Sequence, residues 1–238
     1  MKQPTWTKVF MIVLSVITVF AIIFGVLFRT TRLIGHKVAT VSNTVEIDGK
    51  IEELDIDVSI GDIKIVYGDK ASVSYEYPEK LEPVVYWENE VLSVTEKANG
   101  RYDGNVFNDK YAVTITIPQN SDLKNVSLAA DMGNIEFDDI AISGNFDVDA
   151  DMGNVELTGI SCEDFHADVD MGNIELKKIN CKSIYVSADM GNIQVDGDFE
   201  SIEGTCSMGN LEVVTPNENA VIDVSTDMGN CTVNGKKR

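Results

Sequence analysis

The chain has 238 residues, of which 44% are hydrophobic and 24% charged, and its formal net charge is −20. All 39 acidic residues follow Lys37, so the chain beyond that point is strongly anionic. This balance excludes nucleic acid, whose phosphates need a basic face, and favours cations, basic peptides or basic protein surfaces as partners.

The first element in chain order is Val9 to Phe28, an uncharged run that follows a short tail at 1–8. At 1.5 Å per residue it spans about 30 Å, the thickness of a bilayer's hydrocarbon core, with Trp6 at one interface. A cleaved secretory signal has a shorter apolar core and a small-x-small site. Here Phe28-Arg29-Thr30-Thr31-Arg32 follows directly. The run predicts a transmembrane helix over 9–28, then a linker over 29–44, in a single-pass protein of the cell membrane. Basic residues flank both sides, so the positive-inside rule does not orient it. By analogy with other single amino-terminal anchors, the carboxy-terminal domain is expected outside the cytoplasm.

Residues 45–125 read as irregular β coils or a sheet cap. Leu54, Ile56, Val58 and Ile60, then Ile63 and Ile65, alternate with polar residues around Ser59-Ile60-Gly61-Asp62. Further alternations are Val73-Tyr75-Tyr77, Val91-Ser93 and Tyr111-Val113-Ile115-Ile117. Glu96 to Lys110, rich in Gly, Asn and Asp, reads as a long loop.

From 126 to 234 the chain repeats. Asp-Met-Gly-Asn stands at 131–134, 151–154, 170–173, 189–192 and 227–230, with Ser-Met-Gly-Asn at 207–210. The methionines, Met132, Met152, Met171, Met190, Met208 and Met228, recur every 18 to 20 residues. Aligned on Met, the apolar residues fall in columns of period two, such as Val126, Phe146, Phe165, Ile184, Ile202 and Ile222. Period two is the strand signature, and a short fixed period means stacked coils. Shorter alternations at Ile140/Ile142, Ile160/Cys162 and Ile179/Cys181 add a third strand to some coils. The fold class is therefore all-β, a single parallel β-helix or β-solenoid over 45–238 with coils of about 19 residues. The phase slips at Met-Gly-Asn, where a left-handed glycine in a type II turn is expected. Solenoid ends must be covered, and Gly235-Lys236-Lys237-Arg238 could protect one of them.

The acid is ordered too. Asp131, Asp151, Asp170, Asp189 and Asp227 form one column, and Glu136, Glu156, Glu175 and Glu212 another. Like charges about 4.8 Å apart repel by roughly 0.9 kcal/mol in water, which bound Ca2+ would relieve. The Asp column is thus a candidate cation site. Equally, Asp at a turn accepts backbone N–H bonds, and the Asn side chains can stack in a ladder. The Gly-Gly-x-Gly-x-Asp calcium repeat is absent. Cys162 and Cys181 share a phase in adjacent coils, so either a disulfide or two inward thiols fits. Cys206 and Cys231 sit in inward columns as small core residues, and no Cys-x-x-Cys suggests zinc.

No catalytic constellation is visible. His36 lies near the apolar run, and His166 is predicted on the surface beside Asp147 and Tyr185. No phosphate loop, nucleophile elbow or His-Glu-x-x-His occurs. An active site needs a few unlike groups together, whereas these acids repeat coil after coil. No cofactor is implied.

The stretch Ile51-Glu52-Glu53-Leu54-Asp55-Ile56, then Gly61-Asp62-Ile63-Lys64-Ile65, resembles the opening of the bacterial putative-adhesin family, a domain of unknown function. So does Val113-Thr114-Ile115-Thr116-Ile117-Pro118 followed by Gly-Asn repeats, and the likeness covers about 45–234. It implies a surface-exposed, membrane-tethered β-solenoid, in some cases accessory to envelope-stress systems, with no catalytic residues. The expected function is non-catalytic binding or scaffolding at the envelope. Partners would be the membrane, cationic envelope components, basic peptides or a membrane partner protein. Two alternatives are a membrane-bound polymer of stacked β-helices and an enzyme acting on envelope glycans.

Overall fold

The computed structural model describes residues 39–96 and 111–238. The predicted transmembrane helix over 9–28, His36 and nearly all of the 96–110 loop lie outside the described residues. Among the described residues no helix is long and apolar enough to cross a membrane. The expected linker over 29–44 runs into strand at Thr40.

Seven strands precede the repeats: β1 (Thr40–Glu46), β2 (Glu53–Ile60), β3 (Asp62–Gly68), β4 (Ser72–Pro78), β5 (Pro83–Glu88), β6 (Val91–Glu96) and β7 (Ala112–Pro118). The repeats form β8 (Asn125–Met132), β9 (Ile135–Asp138), β10 (Asn145–Met152), β11 (Val155–Thr158), β12 (Ser161–Met171), β13 (Ile174–Met190), β14 (Ile193–Met208), β15 (Leu211–Val214), β16 (Val221–Met228), β17 (Cys231–Val233) and β18 (Lys236–Lys237). β13 and β14 are long because they continue around corners from one face to the next.

The coils stack in parallel and in strict register. One face runs β3, β9, β11, the start of β13, the start of β14, β15, β17. A second runs β2, β8, β10, β12, the end of β13, the end of β14, β16. The short third face pairs Cys162 with Cys181 and Cys181 with Phe199. Met132, Met152, Met171, Met190, Met208 and Met228 are register partners in one column.

Stacking order departs from chain order at the amino-terminal end. The β2–β3 coil lies between the β8–β9 coil and a layer of β6 and β7. The chain passes outward to build that layer and returns to start the repeats. Antiparallel β5 then covers β6, and β4 covers β7, with β1 outside β4. Antiparallel strands are how the stack ends here, as the edge rule requires.

The inward columns are buried as predicted except in the last coil, where Ile222 is only partly buried. Phe146, Val155, Ala167, Val186 and Val213 are wholly inaccessible. Phe137, Phe146 and Phe165 meet edge to face at 5.6 and 5.4 Å, a favoured ring geometry.

The Met-Gly-Asn corner differs from the expected type II turn. Gly133 and Gly191 have φ of 159°, and Gly209 and Gly229 153°, positive values that side chains rarely adopt but far from the φ near +80° of a type II turn. Glycine is needed because the coils touch there. A Cβ on Gly172 would collide with the carbonyl oxygen of Gly153, and one on Gly191 with that of Gly172. Gly153 N–H donates to the Met171 carbonyl at 3.1 Å and Gly172 N–H to Met190 at 3.0 Å, so the ladder continues through the corner. Left-handed residues do occur, at the next corner: Asp139, Gly159 and Lys178. Lys178 is an extra residue in the pairing of β13 with β14, where Ile179 partners Gly197. The following coil lacks it, which accounts for the shortest Met spacing.

Asparagine, not aspartate, caps the corner amides. Asn173 donates to Asn154 Oδ1 from its backbone N and from Nδ2, both at 3.0 Å. Asn192 repeats this on Asn173 at 2.9 and 3.0 Å, and Asn210 on Asn192 at 3.1 and 3.0 Å. The ladder has polar ends. Asp62, an acceptor only, receives Asn134 N and Nδ2 at 2.9 and 3.1 Å. Lys237 Nζ, a donor only, closes on Asn230 Oδ1 at 3.0 Å. The basic tail thus protects that end as expected.

Gly172→Ala should cost about 1–3 kcal/mol by overpacking against backbone. Asn173→Ala should cost about 1 kcal/mol through lost ladder bonds. Chemical denaturation of both variants checks this; a neutral Gly172→Ala would contradict the close approach.

Candidate functional site: the acidic face

The second face carries the acid outward because its strands alternate strictly. In β10 the exposed residues include Asp147, Asp149 and Asp151; in β12 they include Asp164, His166, Asp168 and Asp170. Register sets Asp149 beside Asp168 and Asp147 beside His166. The Asp column of the sequence, Asp131, Asp151, Asp170, Asp189 and Asp227, is exposed along one margin of this face. Among the described residues no Lys or Arg pairs with Asp149, Asp151, Asp168 or Asp170. The acids elsewhere are partly neutralised: Lys64 meets Glu136 at 2.6 Å, and Lys177 and Lys182 contact Glu175 and Glu163.

Crowding raises carboxyl affinities for protons. Partial burial, then Asp168, Asp151 and Asp170, pushes Asp149 above the usual carboxylate range. Burial, then Asp151 and Asp57, does the same for Asp131. Glu96, outside this face, is raised mainly by burial; it accepts the Ser59 and Ile60 N–H groups at 2.9 and 3.3 Å.

The cation column does not become a metal centre. Among the described residues no three Asp, Glu, His or Cys side chains converge. The Asp side chains run in single file toward solvent, whereas Ca2+ takes six to eight converging oxygens. His166 sits where predicted, with Nδ1 3.9 Å from Asp147 Oδ1 and its ring 4.6 Å from Tyr185. It is half exposed and meets no nucleophile. Cys162 and Cys181 are neighbours, as their phase required, but both are free thiols, and so are Cys206 and Cys231. A hydrogen bond to Cys181, together with burial, holds Cys162 protonated.

The methionines are the surface feature that sequence phase did not place. Met152, Met171, Met190 and Met208 are 41–43% exposed, forming an apolar stripe between the Asp column and the Asn ladder. The signal was their presence at every corner, but a corner lies outside the in–out alternation. A shallow polar concavity of about 670 Å³ lies over β1, β4 and β7, lined by Ser42, Thr44, Ser74, Glu76 and Thr114. Hydroxyls dominate it.

Fold and surface together define a parallel β-solenoid with one anionic, repetitive face. The chain belongs to the Toastrack DUF4097 family, whose model matches residues 51–237. No curated protein matches it in sequence. Among solved structures it is similar to a putative adhesin from Bacteroides fragilis, at 16% identity and a TM-score of 0.53 over 84% of this chain and 97% of that one. A putative adhesin from Parabacteroides distasonis gives 15% identity and 0.44 over 83% and 97%. A putative lipid binding protein from the same species gives 14% and 0.42 over 85% and 96%. The first likeness shows the fold.

Acidification should stabilise the protein. Asp131, Asp149 and Glu96 bind protons more tightly folded than unfolded, so stability falls as pH rises through their raised values and returns as pH drops toward the ordinary carboxylate range. Glu52, lowered by hydrogen bonds to Lys124 and Lys50, opposes this only below that range. Melting temperature should therefore rise as pH is lowered from neutrality toward the ordinary carboxylate range; a fall would contradict the raised proton affinities. A thiol reagent should modify none of the four buried cysteines in native protein and all four after denaturation.

Proposed function

We propose that this chain is a non-catalytic binding scaffold of the bacterial envelope, held at the membrane by the 9–28 run and presenting the second face outside the cytoplasm. The observation that carries the reading is the Asp array of β10 and β12, in register and, among the described residues, without a Lys or Arg partner at Asp149, Asp151, Asp168 or Asp170. Repeated weak charge contacts on a fixed lattice favour multivalent ligands, since avidity replaces a deep pocket. Cationic envelope components, basic peptides and a basic surface of a membrane partner protein share the required chemistry. The description of the Bacteroides fragilis structure as a putative adhesin agrees with binding. Accessory service to an envelope-stress system is consistent with such a sensor surface.

The other two expectations have less support. Polymerisation end to end is opposed by β4 and β5, which cover both long strands of the amino-terminal end. A glycan-acting site would need unlike groups in one place, and the acids of this face are alike from coil to coil.

The test compares the full-length protein with the variant Asp149→Asn, Asp151→Asn, Asp168→Asn, Asp170→Asn against poly-L-lysine of defined length. Binding should weaken at least about tenfold in the variant and fall with added salt in the parent. Equal affinity would remove the proposal. Calcium at millimolar concentration should raise the melting temperature no more than sodium chloride of equal ionic strength; a larger rise would revive the cation column.

A further inference from the structure

The carboxy-terminal end of the stack finishes on two long strands, and only one is covered. Antiparallel β18 lies on β17 through Thr232↔Lys237 and Val233↔Lys236. β16 pairs along its 8 residues with β14, and among the described residues no strand lies on its other edge. At the amino-terminal end β4 and β5 cover the equivalent edges. β16 therefore offers an open row of N–H and C=O groups, the template to which an extended chain adds. The core beneath is also less well closed. Val224 keeps 8% exposure, whereas Val186 in the same column has 0%, and Ile222 is half-buried.

A cation also lies at this end, on a carbonyl that by strand alternation faces β14 rather than the open edge. Arg238 Nη1 donates to the Ile222 carbonyl at 2.7 Å, while the Arg238 backbone N–H is held by the Cys231 carbonyl at 2.9 Å. The outward residues of β16 include Asp223 and Asp227, and Asp223 continues a column through Glu203. A second copy docked edge to edge would bring these acids against their own images, and like charges directly opposite destabilise strand pairs. A basic strand meets neither obstacle.

We infer that β16 is a strand-addition site for an extended segment of a partner protein in which apolar and basic residues alternate. The apolar side chains cover Ile222 and Val224. The basic ones lie beside Asp223 and Asp227, and the partner's main chain pairs with the outward N–H and C=O groups of Asp223, Ser225 and Asp227. This shares with the proposed function only the sign of the partner's charge; the place and the main-chain recognition are separate.

The experiment uses the full-length protein and an end-capped octapeptide of alternating Lys and Val, with a Glu-Val octapeptide as control. Hydrogen exchange should slow about tenfold or more over 221–228 with the Lys-Val peptide and not with the control. The pair Asp223→Asn, Asp227→Asn should weaken binding about threefold or more. The four-Asp variant of the acidic face should leave the protection of 221–228 intact, so failure of that face and failure of this edge are distinguishable. Protection of β10 and β12 without β16 would overturn the inference. So would affinity unchanged in the Asp223/Asp227 variant, or dimers that protect 221–228 without peptide.

Discussion

The structure depends on one contact repeated at each corner: glycine backbone laid against the glycine backbone of the next coil, with no room for a Cβ. Everything else follows from how tightly that contact sets the coils in phase. The neighbouring Asn uses its backbone N–H and its side-chain amide to grip the Asn before it. A one-residue slip would break both bonds and drive a side chain into a carbonyl. Register is therefore specified at the corner, before the hydrophobic columns add their burial.

Strict register has an electrostatic consequence. Whatever faces outward in one coil stands beside its equivalent in the next, so like charges meet like charges. On the first face lysines have been placed among the acids, as Lys64 and Lys177 show. On the second face β10 and β12 carry aspartates without them. Partial burial, and then that repulsion, raises proton affinity at Asp149 and costs stability at neutral pH. It also makes the face a standing field for cationic partners. The stabilising corner and the binding surface are two results of the same parallel stacking.

The ends obey a different logic from the middle. Interior coils satisfy their main chains by symmetry; terminal coils cannot. The amino-terminal end is closed by antiparallel strands that the chain reaches by leaving the stack and coming back. The Asn ladder is closed by an acceptor-only carboxylate at Asp62 and a donor-only ammonium at Lys237, matched to the direction in which the amides point. Among the described residues no strand covers the outer edge of β16, and that asymmetry gives the molecule a polarity along its axis.

The sequence by itself determined the coil, its period, its inward columns and the neighbours of His166 and Cys162, because parallel stacking maps equal phase onto equal position. Alternation of period two and a Met repeat are enough for that. It could not show that β6 and β7 stack outside β2 and β3, since every coil presents the same kind of edge and the pattern says nothing about which edge is chosen. Nor could it show why the corner glycines are required. Gly-Asn reads as a left-handed turn when the chain is viewed alone; only the carbonyl of the coil behind reveals a steric demand. The exposed methionines were likewise decided in three dimensions, because a corner residue belongs to neither face and its direction depends on the coils on either side.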